Sequence, residues 1–217
     1  MPSVAVHVAF AGLLGAALLG EEFDPRAILV VMVACAFVDL DTFVGIYVPG
    51  THRAAFHNVF VVTIPGLLLL WDGWLRETSV VRTRFGQYGY RVAWVSLVTV
   101  LVAHVSLDAF FNGVNVFWPV HDRFYDFSGR MLLTDQRGLV QTFLELETTA
   151  DGTPAVSDSA IRGTTGDTHY ATGFDPTRGD PEPDTERIFP VASSGELFVV
   201  MLASYGTVLY RCLEYYR

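Results

Sequence analysis

FVDLDTFVGIYVPGTHRAAFHN, residues 37–58, sets two carboxylates, two imidazoles and a guanidinium between two apolar runs. Asp39 and Asp41 close the first run, and His52, Arg53 and His57 open the second. Between them Pro49 and Gly50 supply the chemistry of a tight turn. An acid placed in or near a bilayer costs a few kcal/mol unless something compensates, and a bound cation compensates best. The hairpin therefore reads as half of a metal site between two membrane helices.

The rest of the chain supports a membrane setting. Of 217 residues, 51% are hydrophobic and 17% charged, and the mean hydropathy is +0.37, beyond the range of an ordinary soluble domain. Cys35 and Cys212 both fall in apolar runs, where a thiol behaves as a small hydrophobe, and no disulfide is expected. All 14 basic side chains are arginine and the formal charge is -9, which excludes a nucleic-acid-binding surface. Acidity without lysine resembles the proteins of salt-loving archaea.

Apolar runs predict five helices, over about residues 2–20, 27–48, 53–75, 91–111 and 195–213. The first lacks a basic flank and a small-residue cleavage site, so it is expected to stay as a helix and not be removed as a signal peptide. Arg76, Arg82, Arg84 and Arg91 crowd the loop expected at 76–91. Arginine near the helix ends places that loop and the C-terminus in the cytoplasm, and the tip near Pro49 outside. Between residues 121 and 187 stand 13 acids and six arginines, a net -7. This stretch reads as a solvated outer insert, with a β-hairpin in RMLLTDQRGLVQTFLELET (130–148) and an extended or mobile loop over 151–184. The expected organisation is a four-helix core at 1–119, an acidic insert at 120–193 and a fifth helix with its tail at 194–217: an all-α membrane bundle with a partly β insert.

In an antiparallel bundle, the start of helix one, the end of helix two, the start of helix three and the end of helix four share one face. His7, Asp39 with Asp41, His52 with His57, and His104 with Asp108 hold those places. His104 and Asp108, four apart, lie on one helix face, so both bind a cation or Asp108 orients His104. Asp39 and Asp41, two apart, reach one site only if the helix unwinds between them. Arg53 lies four before His57 and stands ready to hold an anion, while Asn58 is expected to orient a ligand. Each feature has a plainer reading: Asp41 as a helix cap, Asp39 paired with Arg53, His7 as a packed histidine, and His104 with Asp108 as a link between helices. Their joint placement favours a metal.

These residues resemble the YdjM-like membrane-bound metal-dependent hydrolases, whose pattern is an N-terminal His, a DxD, an HRxxxHS and an HxxxD followed by GVxxxWP. Here the pattern stands as His7, Asp39-Leu40-Asp41, His52 to Asn58, and His104 to Asp108 followed by Gly113 to Pro119. Ala54 and Asn58 depart from the glycine and serine usual there, and the resemblance covers about the first 120 residues. It implies metal-assisted hydrolysis, with a distant similarity to zinc-dependent phospholipases C. The expected metal residues are His7, Asp39, Asp41, His52, His57, His104 and Asp108. Asp39 or Asp41 would act as general base and Arg53 would bind the substrate anion. One or two divalent ions, zinc by ligand type, would serve at the outer bilayer surface, with no organic cofactor. Membrane lipids are the expected surroundings, and a lipid or phosphoester the expected substrate. An ion or proton transporter, or a scaffold with a structural metal, are the other classes compatible with intramembrane Asp and His.

Overall fold

Ser3 starts the first helix, its hydroxyl accepting the Val6 amide ahead of α1 (Val4–Leu18). The structure is a computed structural model that describes residues 2–149, 152–179 and 181–217, without the side chains of Pro154 and Ala155. Its contacts divide the chain into two units, Met1–Leu40 with Val59–Ser106 and Phe189–Arg217, and Asp41–Asn58 with Leu107–Ile188. The hairpin 41–58 thus groups with the insert, whereas the sequence suggests it belongs with 1–119.

The first unit is helical. Asp24 caps α2 (Pro25–Phe37), its Oδ1 accepting the Arg26 and Ala27 amides at 2.6 and 2.9 Å, with Pro25 at the first helical position. α1 packs on α2, and both contribute to a core of Ala16, Leu19, Ala27, Ile28 and Val31 closed by Val92 and Val95. Helices without large side chains at their crossing approach closely. A Cβ on Gly15 would stand 2.7 Å from Ile28 Cδ1 and 3.0 Å from Val31 Cγ1. Gly15→Val should therefore force α1 and α2 apart at a cost of about 1–3 kcal/mol, read as a lowered unfolding midpoint in detergent. An unchanged midpoint would show that the crossing has slack.

The helices depart from the sequence expectation in three places. The helix expected over 53–75 begins at α4 (Phe60–Leu70, numbered after α3 below), with Pro65 inside it, and passes into a π turn at Trp71–Leu75. Residues 76–91 are mostly not a loop, because α5 runs Val80–Thr99 and carries Arg82, Arg84 and Arg91. Asp72 captures the Val80 and Val81 amides, and Ser79 caps Arg82, so the helix starts there. Gly86, at φ 68°, breaks it. After α5 comes a π stretch, Val100–Ser106, which contains His104. α7 (Gly195–Tyr215, the last helix) matches its expected place and leaves Val199, Leu202, Leu209 and Tyr210 outward.

Pro25–Tyr47, Val80–Phe111 and Gly195–Tyr215 are long and apolar enough to cross a membrane, while Val4–Leu18 and Phe60–Leu75 are apolar but shorter. Three candidate spans, not five, follow from length and composition alone.

The second unit holds α3 (Asp41–Tyr47), the loop to Asn58, α6 (Leu107–Phe111) and the insert. The expected hairpin forms from β1 (Met131–Thr134) and β2 (Gly138–Gln141), antiparallel with Leu133 opposite Leu139. A second pairs β3 (Leu146–Thr148) with β4 (Pro154–Val156). The segment expected to be a loose loop is tied down: Tyr125 bridges both Val114 and Ile161. Asp122 accepts the Thr165 hydroxyl at 2.7 Å, and Asp126 pairs with Arg162. Short polar side chains knit it where apolar periodicity is absent.

Candidate metal centre

In the first unit the chain leaves α2 through a 3-10 turn, Val38–Leu40, which presents Asp39. The π stretch presents His104, and α1 presents His7. A π turn inside an α-helix marks functional positions because the extra residue re-aims a side chain. One ligand atom each from His7, Asp39 and His104 lie within 4.8 Å of one another, a group that could hold a metal ion. The two imidazoles stack with centroids 3.9 Å apart. His7 Nδ1 meets Ala103 O at 2.8 Å and His104 Nδ1 meets Cys35 O at 2.9 Å. A carbonyl only accepts, so each Nδ1 carries a proton and each ring turns its Nε2 away from the backbone. His104 Nε2 faces Asp39 Oδ1 at 3.4 Å. Histidines held by backbone carbonyls in this way are the usual form of metal ligands.

In the second unit Asp41 organises the hairpin. Its Oδ2 accepts from the Arg53 amide (3.1 Å), the Phe56 amide (3.2 Å) and His57 Nδ1 (2.8 Å). Those bonds hold residues 53–57 as a loop, with Arg53 in the left-handed region at φ 64°. His57 is therefore not inside a helix, and its relation to Arg53 is not that of one helical face. The other ring nitrogen of His57, Nε2, lies 3.3 Å from Asp108 Oδ2. Burial opposes charge on His57, but Asp41 and Asp108 override it and push its pKa up to about 10.

His52 behaves differently. Burial holds its pKa below the usual histidine range against the pull of Asp41. Its Nδ1 donates to Tyr170 O at 3.0 Å, which leaves the Nε2 lone pair facing Asp41 Oδ1 at 4.0 Å. That oxygen is buried with no hydrogen-bond donor among the described residues. Two acceptors facing each other in a buried site repel, and a cation between them removes the repulsion.

The fate of Arg53 corrects the sequence expectation. It is 1% exposed, its Nη2 bonds Asp108 Oδ1 at 2.7 Å, and its guanidinium lies 4.8 Å over the Tyr170 ring. Within its unit its ion-pair partner is Asp108. Asn58 differs as well: its Nδ2 donates to Ala54 O and Ala55 O, bracing the loop.

A family model described as YdjM inner membrane protein matches residues 1–165. The chain belongs to the YdjM inner membrane protein family. The YdjM match reaches well beyond residue 120, into the insert, so the hairpin β1–β2 and the Tyr125–Ile161 bridge fall within the matched YdjM region. No curated protein and no solved structure matches the chain. Sequence reasoning missed Tyr170, which fixes His52 and covers Arg53, and Asn115, whose amide donates to Asp122 at 2.6 Å and whose backbone N–H donates to Arg53 O. The sequence signals were an asparagine inside the Gly113 to Pro119 motif and a tyrosine in a polar stretch, types that serve equally on any surface.

Proposed function

We propose that this protein is a membrane-bound, metal-dependent hydrolase of phosphoester or lipid-type substrates, with His7, Asp39 and His104 holding one divalent ion. The observation that supports this reading is the convergence of ligand atoms of His7, Asp39 and His104 within 4.8 Å of one another, with both imidazoles fixed by backbone carbonyls. Imidazole and carboxylate donors favour zinc. His52 and Asp41 would hold a second ion, and His57 would join them as a ligand only on giving up the proton that Asp41 and Asp108 stabilise.

A bound divalent ion supplies Lewis acidity and lowers the pKa of a bound water to about 7. The carboxylates divide the remaining work by burial. Asp41 is fully enclosed and its Oδ2 is filled by three donors, so it positions His57 and the loop. Asp39 keeps 18% side-chain exposure and lies at the more open group, where its carboxylate would hold the ion within reach of water.

The proposed setting is a five-span bundle in which α1 and Phe60–Leu75 span with local bilayer thinning. The arginines near helix ends put the C-terminus in the cytoplasm and the insert outside. A C-terminal tag should resist labelling from outside intact cells; labelling there would reverse the orientation. Activity is tested by metal content per purified chain together with turnover of phospholipids and generic phosphoesters. Full metal without turnover on any of them would leave a structural metal as the better reading.

A further inference from the structure

The insert encloses a cavity of about 290 Å³ lined by Gly45, Ile46 and Pro49 of the hairpin and by His169, Arg178 and Arg187. We infer that this cavity binds the phosphate group of a phosphate ester. The inference rests on the proposed hydrolase function for what becomes of the ester, and on the cavity alone for binding. Its size is at the lower end of small-ligand pockets, about 300–1,000 Å³, enough for a glycerophosphate-sized group.

Three observations carry it. The insert is strongly acidic, yet among the described residues two of its arginines line this one cavity, with Asp175 as the lining carboxylate. Arg187 is held by Nη1, which donates to Gly173 O at 3.0 Å and Phe174 O at 3.3 Å, while its other donors carry no hydrogen bond among the described residues. Arg178 is held by its Nη2 on Thr165 O. A guanidinium fixed at one end presents a planar pair of donors, the geometry that suits phosphate. Second, His169 Nε2 is buried and has no hydrogen-bond partner among the described residues. A buried ring nitrogen in that state costs free energy that a bound oxygen would recover.

Third, Gly45 connects the cavity with the metal residues of the same unit. Asp41 and Gly45 are one turn apart on α3 and share a face. A Cβ at Gly45 would lie 3.4 Å from His52 Cβ and 3.6 Å from Asp175 Oδ2. The glycine thus sets the wall of the cavity beside His52, and a longer side chain there would intrude on the space in front of the arginines.

The test is equilibrium binding to the purified, zinc-loaded full chain with three probes: inorganic phosphate, glycerol 3-phosphate and a short-chain phosphatidic acid. The native protein should bind at least one of them, and binding should persist after zinc is stripped, because arginines hold the anion. Arg178→Gln with Arg187→Gln should weaken binding at least tenfold with zinc per chain unchanged, and Gly45→Leu, which intrudes on the cavity, should weaken binding as well. Arg187→Lys, a milder change at an exposed position, should weaken it several-fold and covers the case in which the double variant misfolds. Similar affinities for glycerol phosphate and phosphatidic acid would assign a soluble ester, and preference for the acyl chains a lipid headgroup. No binding by the native chain, or unchanged binding in the arginine variants, overturns the inference. Phosphate binding without any turnover sinks the hydrolase reading and leaves the pocket standing; turnover of phosphoesters at native rate by the double variant does the reverse.

Discussion

His104→Ala should strip the purified protein of metal, and with it any hydrolysis. The side chain is fully buried, its Nδ1 is fixed on Cys35 O, and its Nε2 faces Asp39 Oδ1 at 3.4 Å. Truncation removes a nitrogen donor and leaves Asp39 and His7 to hold a cation from two sides only. Even the loss of a residue that merely orients a ligand costs roughly 10- to 100-fold in metal affinity, so loss of the ligand itself should exceed that. Elemental analysis of the variant against the native chain reads the effect directly. His121→Ala is the control, because that imidazole is exposed and its Nε2 meets only the Tyr125 hydroxyl, at 3.1 Å, among the described residues. Retention of native metal in His104→Ala, with loss in Asp41→Asn, would move the functional ion to the second unit. Because the site is buried, a folding control is needed, and His104→Gln supplies it by keeping volume and a polar tip: folded but metal-poor is the expected state.

Much of this arrangement is legible in the sequence because ionisable residues in apolar runs are few and each demands a partner. His7, Asp39, Asp41, His52, His57, His104 and Asp108 can all be singled out on that ground, and each is packed against another of the set. What the sequence hides is which pairs form. HRAAFH has the spacing of a helical turn, yet Asp41 draws the amides of Arg53 and Phe56 onto one carboxylate oxygen and unwinds it. Tertiary hydrogen bonding of this kind overrides local propensity and has no local signature. The π stretch around His104 is equally silent, since VLVAHVS reads as ordinary apolar helix. Tyr170 lies 118 positions from the His52 it fixes, in a segment whose Gly, Asp and Thr content suggests an untethered loop.

Arg53→Gln should lower both stability and metal content. The sequence alone expects Arg53 to hold a substrate anion and Arg53→Lys to spare the metal while slowing turnover; the buried geometry predicts otherwise. The guanidinium bonds Asp108 Oδ1 at 2.7 Å and Gly113 O at 3.3 Å, and both members of the ion pair are 1% exposed on their side chains. Removing one partner of a buried pair leaves an uncompensated charge at a cost of about 3–5 kcal/mol. Here the abandoned carboxylate is Asp108, whose other oxygen sits 3.3 Å from His57 Nε2, so the damage reaches the proposed second metal group. Arg53→Lys should fall between native and Arg53→Gln, because a lysine keeps the charge but loses the fork and the stack on Tyr170. Unfolding midpoint and metal per chain, measured on the same preparations, separate the two roles. Arg53 Nε is buried without a hydrogen bond among the described residues, and it is the one guanidinium nitrogen on which an anion-binding role could rest. If Arg53→Gln kept native stability and metal and lost only turnover, the ion pair with Asp108 would be incidental and that nitrogen would be the one that meets the substrate.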